Sequence, residues 1–374
     1  MKVVHVITDL QTGGAQVMLR QLVPRLQACG VENTIVSLGA ISPDFEGLRT
    51  MAGLHSLHMR AKVPSVSALV RLRRLLSATR PDVIHTWLYH ADLLGGLAVV
   101  PPAVAPVIWG LHHTPSPAER FKTTTAAIVR LNAALSSLVP ARIVCCAHAS
   151  KDAHIARGYD SSRMTVICNG FDCDAFTIAP ESRASLRQEL GLADETPLVA
   201  LMARFHPQKD HRTFVRAAAQ LHRVRPDVHF VLAGGGVDDT NLALRDWISA
   251  TPCADRFHLL GLRRDMPRLM AAVDLLASAA CYGEALPLVL GEAMACGVPC
   301  VTTDVGDSAR LVSDTGRVVP PGDADAMAGA WASLLKMPPD QRRQLGEQAR
   351  ARIREHFSLS GYVAEHLALY ESVR

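Results

Sequence analysis

The chain has 374 residues, of which 49% are hydrophobic, 5% aromatic and 20% charged, with a formal net charge of +4. That is enough apolar material for about two packed domains, and it argues against intrinsic disorder. No run of 18 apolar residues occurs, MKVVHVITDL reads as a strand and turn rather than a signal peptide, and the nine cysteines form no CxxC pair. A membrane span, a secretion signal and a disulfide scaffold are therefore not expected. The thiols read as buried and reduced, which places the protein in the cytoplasm.

In chain order, VVHVIT (3–8) opens a first series of strands, followed by a helix near 14–29. TIVSLG (34–39), PDVIHTW (81–87), VIWGLH (107–112) and RIVCCA (142–147) continue it, each flanked by helical periodicity. A linker rich in Asn-Gly, Asp and Pro follows, and the pattern restarts at PLVALMARF (197–205), HFVLAGGG (229–236), FHLLG (257–261), LLASA (275–279) and CVTTD (300–304). Strand–helix alternation of this kind predicts parallel doubly wound sheets. The expected organisation is an α/β chain of two Rossmann-like domains, 1–175 and 176–350. One long terminal helix over about 340–374 is expected to follow, its last part, 351–374, crossing back to the first domain.

Residues 1–180 carry 17 Lys and Arg against 11 Asp and Glu, while the remainder carries 22 against 24. An ordinary solvated surface explains the first excess. The sharper reading is a contact with an anionic membrane at the inner face of the plasma membrane, through Arg60, Lys62, Arg71, Arg73 and Arg74. Nucleic acid is disfavoured, since no zinc spacing or basic helix flanked by aromatics occurs.

In open α/β sheets, ligands sit beyond the carboxyl ends of the strands. The first strand ends in TDLQTGGAQ, where Gly13 and Gly14 let backbone approach a ligand; a bare turn is the plain alternative. His85, Trp87, Tyr89 and His90 (HTWLYH) follow the third strand and suit sugar or polar-ring recognition, with core packing of Trp87 and Tyr89 equally open. His112 and His113 follow the fourth. In ARFHPQKD, Arg204 and Lys209 follow a strand and can grip two phosphates, or can be solvated surface charges. CYGEALPLVLGEAMACGVPC places Glu284 in a loop and Glu292 about five residues into a helix that Pro287 opens. Between them, the amides of Ala285, Leu286, Leu288 and Val289 form an anion-receptive helix end. A shared acid–base pair does not follow from that spacing. AGGG (233–236) is not a nicotinamide fingerprint.

Together, TGGAQ, the strand ending in His112, VICNGFD (166–172), ARFHPQKD, LAGGG, LGLRRDMPRLMAAVDLLASAA (260–280) and the E-x7-E segment resemble the retaining, nucleotide-sugar-dependent glycosyltransferases of the GT-B fold, family 4 (group 1) type, over essentially the whole chain. The resemblance implies two Rossmann-like domains facing across a cleft. It implies that Arg204 and Lys209 bind the donor diphosphate, that Glu292 holds the ribose and that Glu284 contacts the transferred sugar. Backbone at Ala285, Leu286, Pro287, Leu288, Gly13 and Gly14 would touch sugar or phosphate. His112, or His113 beside it, would bond a sugar hydroxyl, Asn169 would join the substrate contacts, and Gly261, Leu262 and Asp265 would lie where the base binds. Ala285 replaces the family's usual glycine, Leu288 an asparagine and Cys168 a proline. No cofactor is expected beyond the UDP- or GDP-linked co-substrate. No metal is expected either, since the Asp172–Asp174 pair lies in the linker. The acceptor would be a glycan or lipid-linked glycan, as in bacterial surface polysaccharide assembly. A sugar-nucleotide epimerase of the same fold, or a catalytically dead nucleotide-sugar-binding protein, remains open.

Overall fold

Short apolar runs, too short for helices and bounded by polar turns, form the central strands of both sheets, as at Lys2–Ile7, Val107–Leu111, Leu198–Met202 and His229–Ala233. A computed structural model describes residues 1–11, 13–59, 65–100, 104–116 and 122–374. Thr12, Arg60 and Lys62 lie outside the described residues. The chain divides into two compact units: Met1–Gly170 with Leu359–Arg374, and Phe171–Ser358.

The first unit holds β1 (Lys2–Ile7), α1 (Gly14–Ala28), β2 (Glu32–Ser37), β3 (Gly53–Ser56), α2 (Val66–Thr79), β4 (Val83–Trp87), α3 (Tyr89–Val99), β5 (Val107–Leu111), α4 (Thr123–Leu135), β6 (Arg142–Cys145), α5 (His148–Ile155) and β7 (Met164–Val166). Its sheet is parallel throughout, in the order β3-β2-β1-β4-β5-β6-β7. Val4, Val6, Ile84, Trp109 and Ile143 from the strands pack with Leu72, Leu76 and Leu94 from the helices.

The second unit holds α6 (Pro180–Leu190), β8 (Leu198–Met202), α7 (His211–His222), β9 (His229–Ala233), α8 (Leu242–Ser249), β10 (Phe257–Leu259), α9 (Met266–Ala272), β11 (Leu275–Ser278), α10 (Leu288–Ala295), β12 (Cys300–Thr303), α11 (Ser308–Val312), β13 (Arg317–Val319), α12 (Ala324–Lys336) and α13 (Pro339–His356). Its sheet is also parallel, in the order β10-β9-β8-β11-β12-β13. Val199, Phe214, Phe230 and Trp331 anchor its core.

Both sheets reverse strand order beside their first strand, between β1 and β4 and between β8 and β11. Those switch points are where such sheets receive ligands.

The terminal helix expected over 340–374 is two helices. α13 ends at His356, and α14 (Leu359–Val373) packs on α1 within the first unit. The strands β3, β7 and β13 are three or four residues long at sheet margins, and the apolar-run pattern does not reveal them. Among the described residues no disulfide joins the cysteines; Cys29 is exposed and Cys168, Cys173 and Cys281 are half-buried rather than buried.

Candidate active site

In the second unit the site begins where β8 ends. The loop 203–209 is held on one side by the glycine turn after β9, where Ala203 N–H donates to Ala233 O (2.9 Å) and Phe205 N–H to Gly235 O (2.8 Å). Gly234 stands at φ +151°, and a Cβ there would lie 2.2 Å from the Ala203 carbonyl oxygen and 2.8 Å from Arg204 N. The LAGGG turn therefore serves close backbone approach to the Arg204 segment. On the other side, Cys281 N–H donates to Gln208 O at 2.9 Å. Asp210, left-handed at φ 43°, caps α7 by accepting from Thr213 N (3.1 Å) and Thr213 Oγ1 (2.6 Å), which fixes Lys209 just before it.

Lys209 Nζ forms an ion pair with Glu284 Oε1. The pairing follows from topology, because β8 and β11 are neighbours and both groups leave from the same sheet edge. The Glu284 side chain is 10% exposed and that of Lys209 22%. Arg204 is exposed and has no ionic partner among the described residues.

The Glu284 segment is backed by the loop after β12. Gly306 has φ +62°, and a Cβ on it would lie 2.3 Å from Glu284 O and 2.7 Å from Ala285 O. Asp307 N–H donates to Ala285 O at 2.8 Å. Sequence reasoning missed Gly306; its signal was a glycine in the short loop that follows β12.

Ala285, Leu286 and Pro287 are buried and Leu288 is half-buried. Pro287 is the residue before α10 rather than its first helical residue, with φ −65° and ψ 118°, and no side chain caps this end. Glu292 is the fifth residue of α10 and half-buried. Beside it, Gly291 lies under the Phe171 ring: a Cβ there would sit 2.1–2.4 Å from three ring carbons.

Gly261 (φ +64°) ties the β10 exit to the glycine turn, accepting from Gly234 N–H and donating to Val237 O, both at 2.8 Å. Leu262 is 69% exposed. Asp265 departs from the expectation of a group open to a base. Its carboxylate takes a fork from Arg263 (2.9 and 2.7 Å) and a third bond from Arg268 (2.9 Å), and Glu189 of α6 shares both guanidiniums. Those bonds hold it far below the usual carboxylate range.

In the first unit, Gly13 precedes Gly14, the first residue of α1, in extended backbone. A Cβ on Gly13 would lie 2.4 Å from Gln16 Oε1, and Gln16 itself folds back onto Asp9 (3.1 and 3.2 Å).

His85 and Trp87 lie within β4 rather than after it. His85 is fully buried and its Nδ1 meets the Tyr370 hydroxyl at 2.7 Å, so strand alternation directs its ring into the protein, away from any ligand. Tyr89 is buried, with its hydroxyl 2.8 Å from His154 Nε2. His90 is half-buried in the first turn of α3.

His112 follows β5 and stacks on Trp87, with centroids 4.7 Å apart and planes 14° apart. The residue is half-buried, but its Nε2 is sealed and has no hydrogen-bond partner among the described residues. Burial drives its pKa down to about 3, with His366 adding to the effect, so the ring is neutral at neutral pH. His113 is half-buried and its carbonyl accepts from Ser150 Oγ at 2.8 Å. Asn169 is buried near the end of this unit.

The second unit thus brings Arg204, Lys209, Glu284 and the α10 end to one sheet switch, a cationic and amide-rich edge suited to a phosphate ester. A sugar nucleotide is such an ester. Residues 182–352 match the family "Glycosyl transferases group 1" and residues 12–175 match "Glycosyltransferase Family 4". The chain belongs to these nucleotide-sugar-dependent glycosyltransferases.

Among its relatives, it is 26% identical over 277 residues to the UDP-Gal:alpha-D-GlcNAc-diphosphoundecaprenol alpha-1,3-galactosyltransferase of Escherichia coli, covering 72% of this chain and 70% of that protein. It is 31% identical over 200 residues to the GDP-mannose-dependent monoacylated alpha-(1-6)-phosphatidylinositol monomannoside mannosyltransferase of Corynebacterium glutamicum, covering 51% of each. It is 36% identical over 195 residues to a D-inositol 3-phosphate glycosyltransferase of Mycobacterium sp. (strain KMS), covering 50% of this chain and 42% of that protein. The chain spans about half the length of the last two.

The crystal structure of Anabaena HepE with UDP superposes with a TM-score of 0.86 at 23% identity over all of both chains. WaaG, a glycosyltransferase involved in lipopolysaccharide biosynthesis, gives 0.76 at 16%, covering 100% of this chain and 99% of that one. The fold is GT-B. Among the described residues, no helix is long and apolar enough to cross a membrane.

Proposed function

We propose that the protein transfers a hexose, with retention of configuration, from a UDP- or GDP-linked donor to a glycan or lipid-linked glycan in bacterial surface polysaccharide assembly, at the cytoplasmic face of the membrane. The observation that carries this reading is the Lys209–Glu284 pair beside Arg204, which has no ionic partner among the described residues, at the β8/β11 switch.

Lys209 and Glu284 neutralise each other. A diphosphate competes for Lys209 and adds Arg204, and this frees Glu284 to accept from sugar hydroxyls. Glu292 holds the ribose. The bond from the anomeric carbon to the diphosphate oxygen breaks, and the bond to the acceptor oxygen forms on the same face. The acceptor's proton passes to the departing diphosphate. Arg204, Lys209 and the amides of Leu288 and Val289 stabilise the charge that develops there, the role a metal plays in other transferases. Gly13, Gly14 and a neutral His112 supply further sugar contacts.

Support for a lipid-linked acceptor is the outer face of α2, where exposed Arg71 and Arg74 lie with Val66 (80% exposed) and Val70 (42%). Such a face suits an anionic bilayer surface. Co-sedimentation with phosphatidylglycerol vesicles at low salt tests this part, and failure to bind removes it.

Removing one charge-stabilising group costs ~10²–10³ in turnover. Arg204→Ala and Lys209→Ala should each lose that much transfer with circular dichroism unchanged. Near-normal rates in either would refute the assignment. Incubation with donor alone distinguishes an epimerase, which needs no acceptor.

A further inference from the structure

Behind His112 runs a row of buried rings that the transfer chemistry leaves unused. His112 stacks on Trp87, and Trp87 meets His85 at 4.6 Å with planes 33° apart. His85 Nδ1 lies 2.7 Å from the Tyr370 hydroxyl. His366, one turn earlier on α14, faces His85 at 5.6 Å, and His5 of β1 flanks it at 6.0 Å. Apart from His112, every ring in this row is at most 1% exposed.

Gly110 makes the row possible. A Cβ there would stand 2.6 Å from the Thr86 carbonyl oxygen, 3.2 Å from His85 Nε2 and 3.3 Å from His112 Nε2. Two imidazole nitrogens therefore converge over one bare backbone position, and neither has a hydrogen-bond partner among the described residues.

The neighbours fix the remaining protons. Asn33 Nδ2 donates to Val31 O (2.9 Å), so its Oδ1 accepts from His5 Nε2 (3.1 Å). The Tyr362 carbonyl can only accept, so His366 Nδ1 donates to it (2.9 Å). Burial raises the Tyr370 phenol well above its ordinary value, so it keeps its proton. The charges that bear on His85 come from His366, His5 and His112, the other imidazoles of the cluster.

We propose that Tyr370 and His85 are positioning residues for His112: the Tyr370 hydroxyl fixes the His85 ring, His85 backs Trp87, and Trp87 sets the plane of the His112 imidazole. The C-terminal helix α14 thereby orients a group that the sequence places beyond β5. This rests on the reading of His112 as a sugar contact. The hydroxyl acts through two packed rings, His85 and Trp87, so its loss rotates His112 without removing it.

The test is Tyr370→Phe, which keeps the ring and deletes one hydrogen bond, with Val363→Ala, an apolar residue two turns before Tyr370 on the same buried face of α14, as the packing control. The nitrogen NMR signals of the His112 ring and the transfer kinetics are both read. Tyr370→Phe should shift the His112 signals and lower kcat by ~3–10-fold, the size of one hydrogen bond, with donor KM within about twofold. Val363→Ala should lower the melting temperature and leave the His112 signals in place. Trp87→Phe carries the same expectation as Tyr370→Phe should the latter not fold. Unchanged His112 signals and kcat in Tyr370→Phe, with His112→Ala impaired, would overturn the relay and leave the transferase reading standing. Absence of transfer by the wild type would instead sink that reading, and the ring signals would still decide the relay.

Discussion

Lowering the pH from 7 to 5 should strip several kcal/mol from the first unit. Burial holds His5, His154 and His366 at about 4, against 6.5 for an exposed imidazole. Their folded pKa lies below the unfolded one, so on acidification the unfolded chain takes up protons first. The stability is fully present above about pH 6.5 and is lost as pH falls towards 4. At pH 5 each such histidine costs about 2 kcal/mol, with a slope of about 1 kcal/mol per pH unit. Two or three of them together cost about 4–6 kcal/mol, comparable with the whole stability of an ordinary domain. Guanidinium unfolding at pH 7, 6, 5.5 and 5, followed by hydrogen exchange in β1, β4 and α14, measures this. In His366→Gln the slope should fall by nearly one proton. Equal stability at pH 7 and 5, or a slope untouched in His366→Gln, would refute the reasoning that these rings are buried neutral.

Three further outcomes are expected. Gly291→Ala should cost about 1–3 kcal/mol, since its Cβ meets the Phe171 ring at 2.1–2.4 Å, and Phe171→Leu should restore part of it in thermal melts. Glu284→Gln should leave nucleotide diphosphate affinity equal or tighter, because Lys209 loses its competing partner, while transfer falls by ~10²-fold or more; titration calorimetry and a product assay separate the two effects. Gly306→Ala should weaken donor binding at least tenfold with the second-unit core intact, because at φ +62° its Cβ would push directly on the Glu284 and Ala285 carbonyls; a binding isotherm matching the wild type would contradict this.

The architecture was legible because parallel, doubly covered strands must be continuous apolar runs, as in VVHVIT or LVALM. The short margin strands β3, β7 and β13 lack such runs and were not seen. Neither was the break at Phe357–Ser358, because the helical periodicity on its two sides reads as continuous. In the site, Lys209 and Glu284 were named separately. Their pairing depends on β8 and β11 being neighbours, which is a property of sheet order and not of sequence spacing. His85 was misplaced for a related reason: a histidine within a strand points to one face or the other by register, and here it points at Tyr370, far along the chain. Gly306 and Gly291 carry information only through what their absent side chains would strike.

The account stands on the β8 and β11 exits forming a diphosphate cradle. Calorimetric titration of UDP, GDP and the matching monophosphates into wild type, Arg204→Ala and Lys209→Ala tests it most directly. One diphosphate should bind the wild type more tightly than its monophosphate, and each variant should lose at least tenfold in affinity for it, about 1.4 kcal/mol or more. Equal affinities for diphosphate across the three proteins would contradict it.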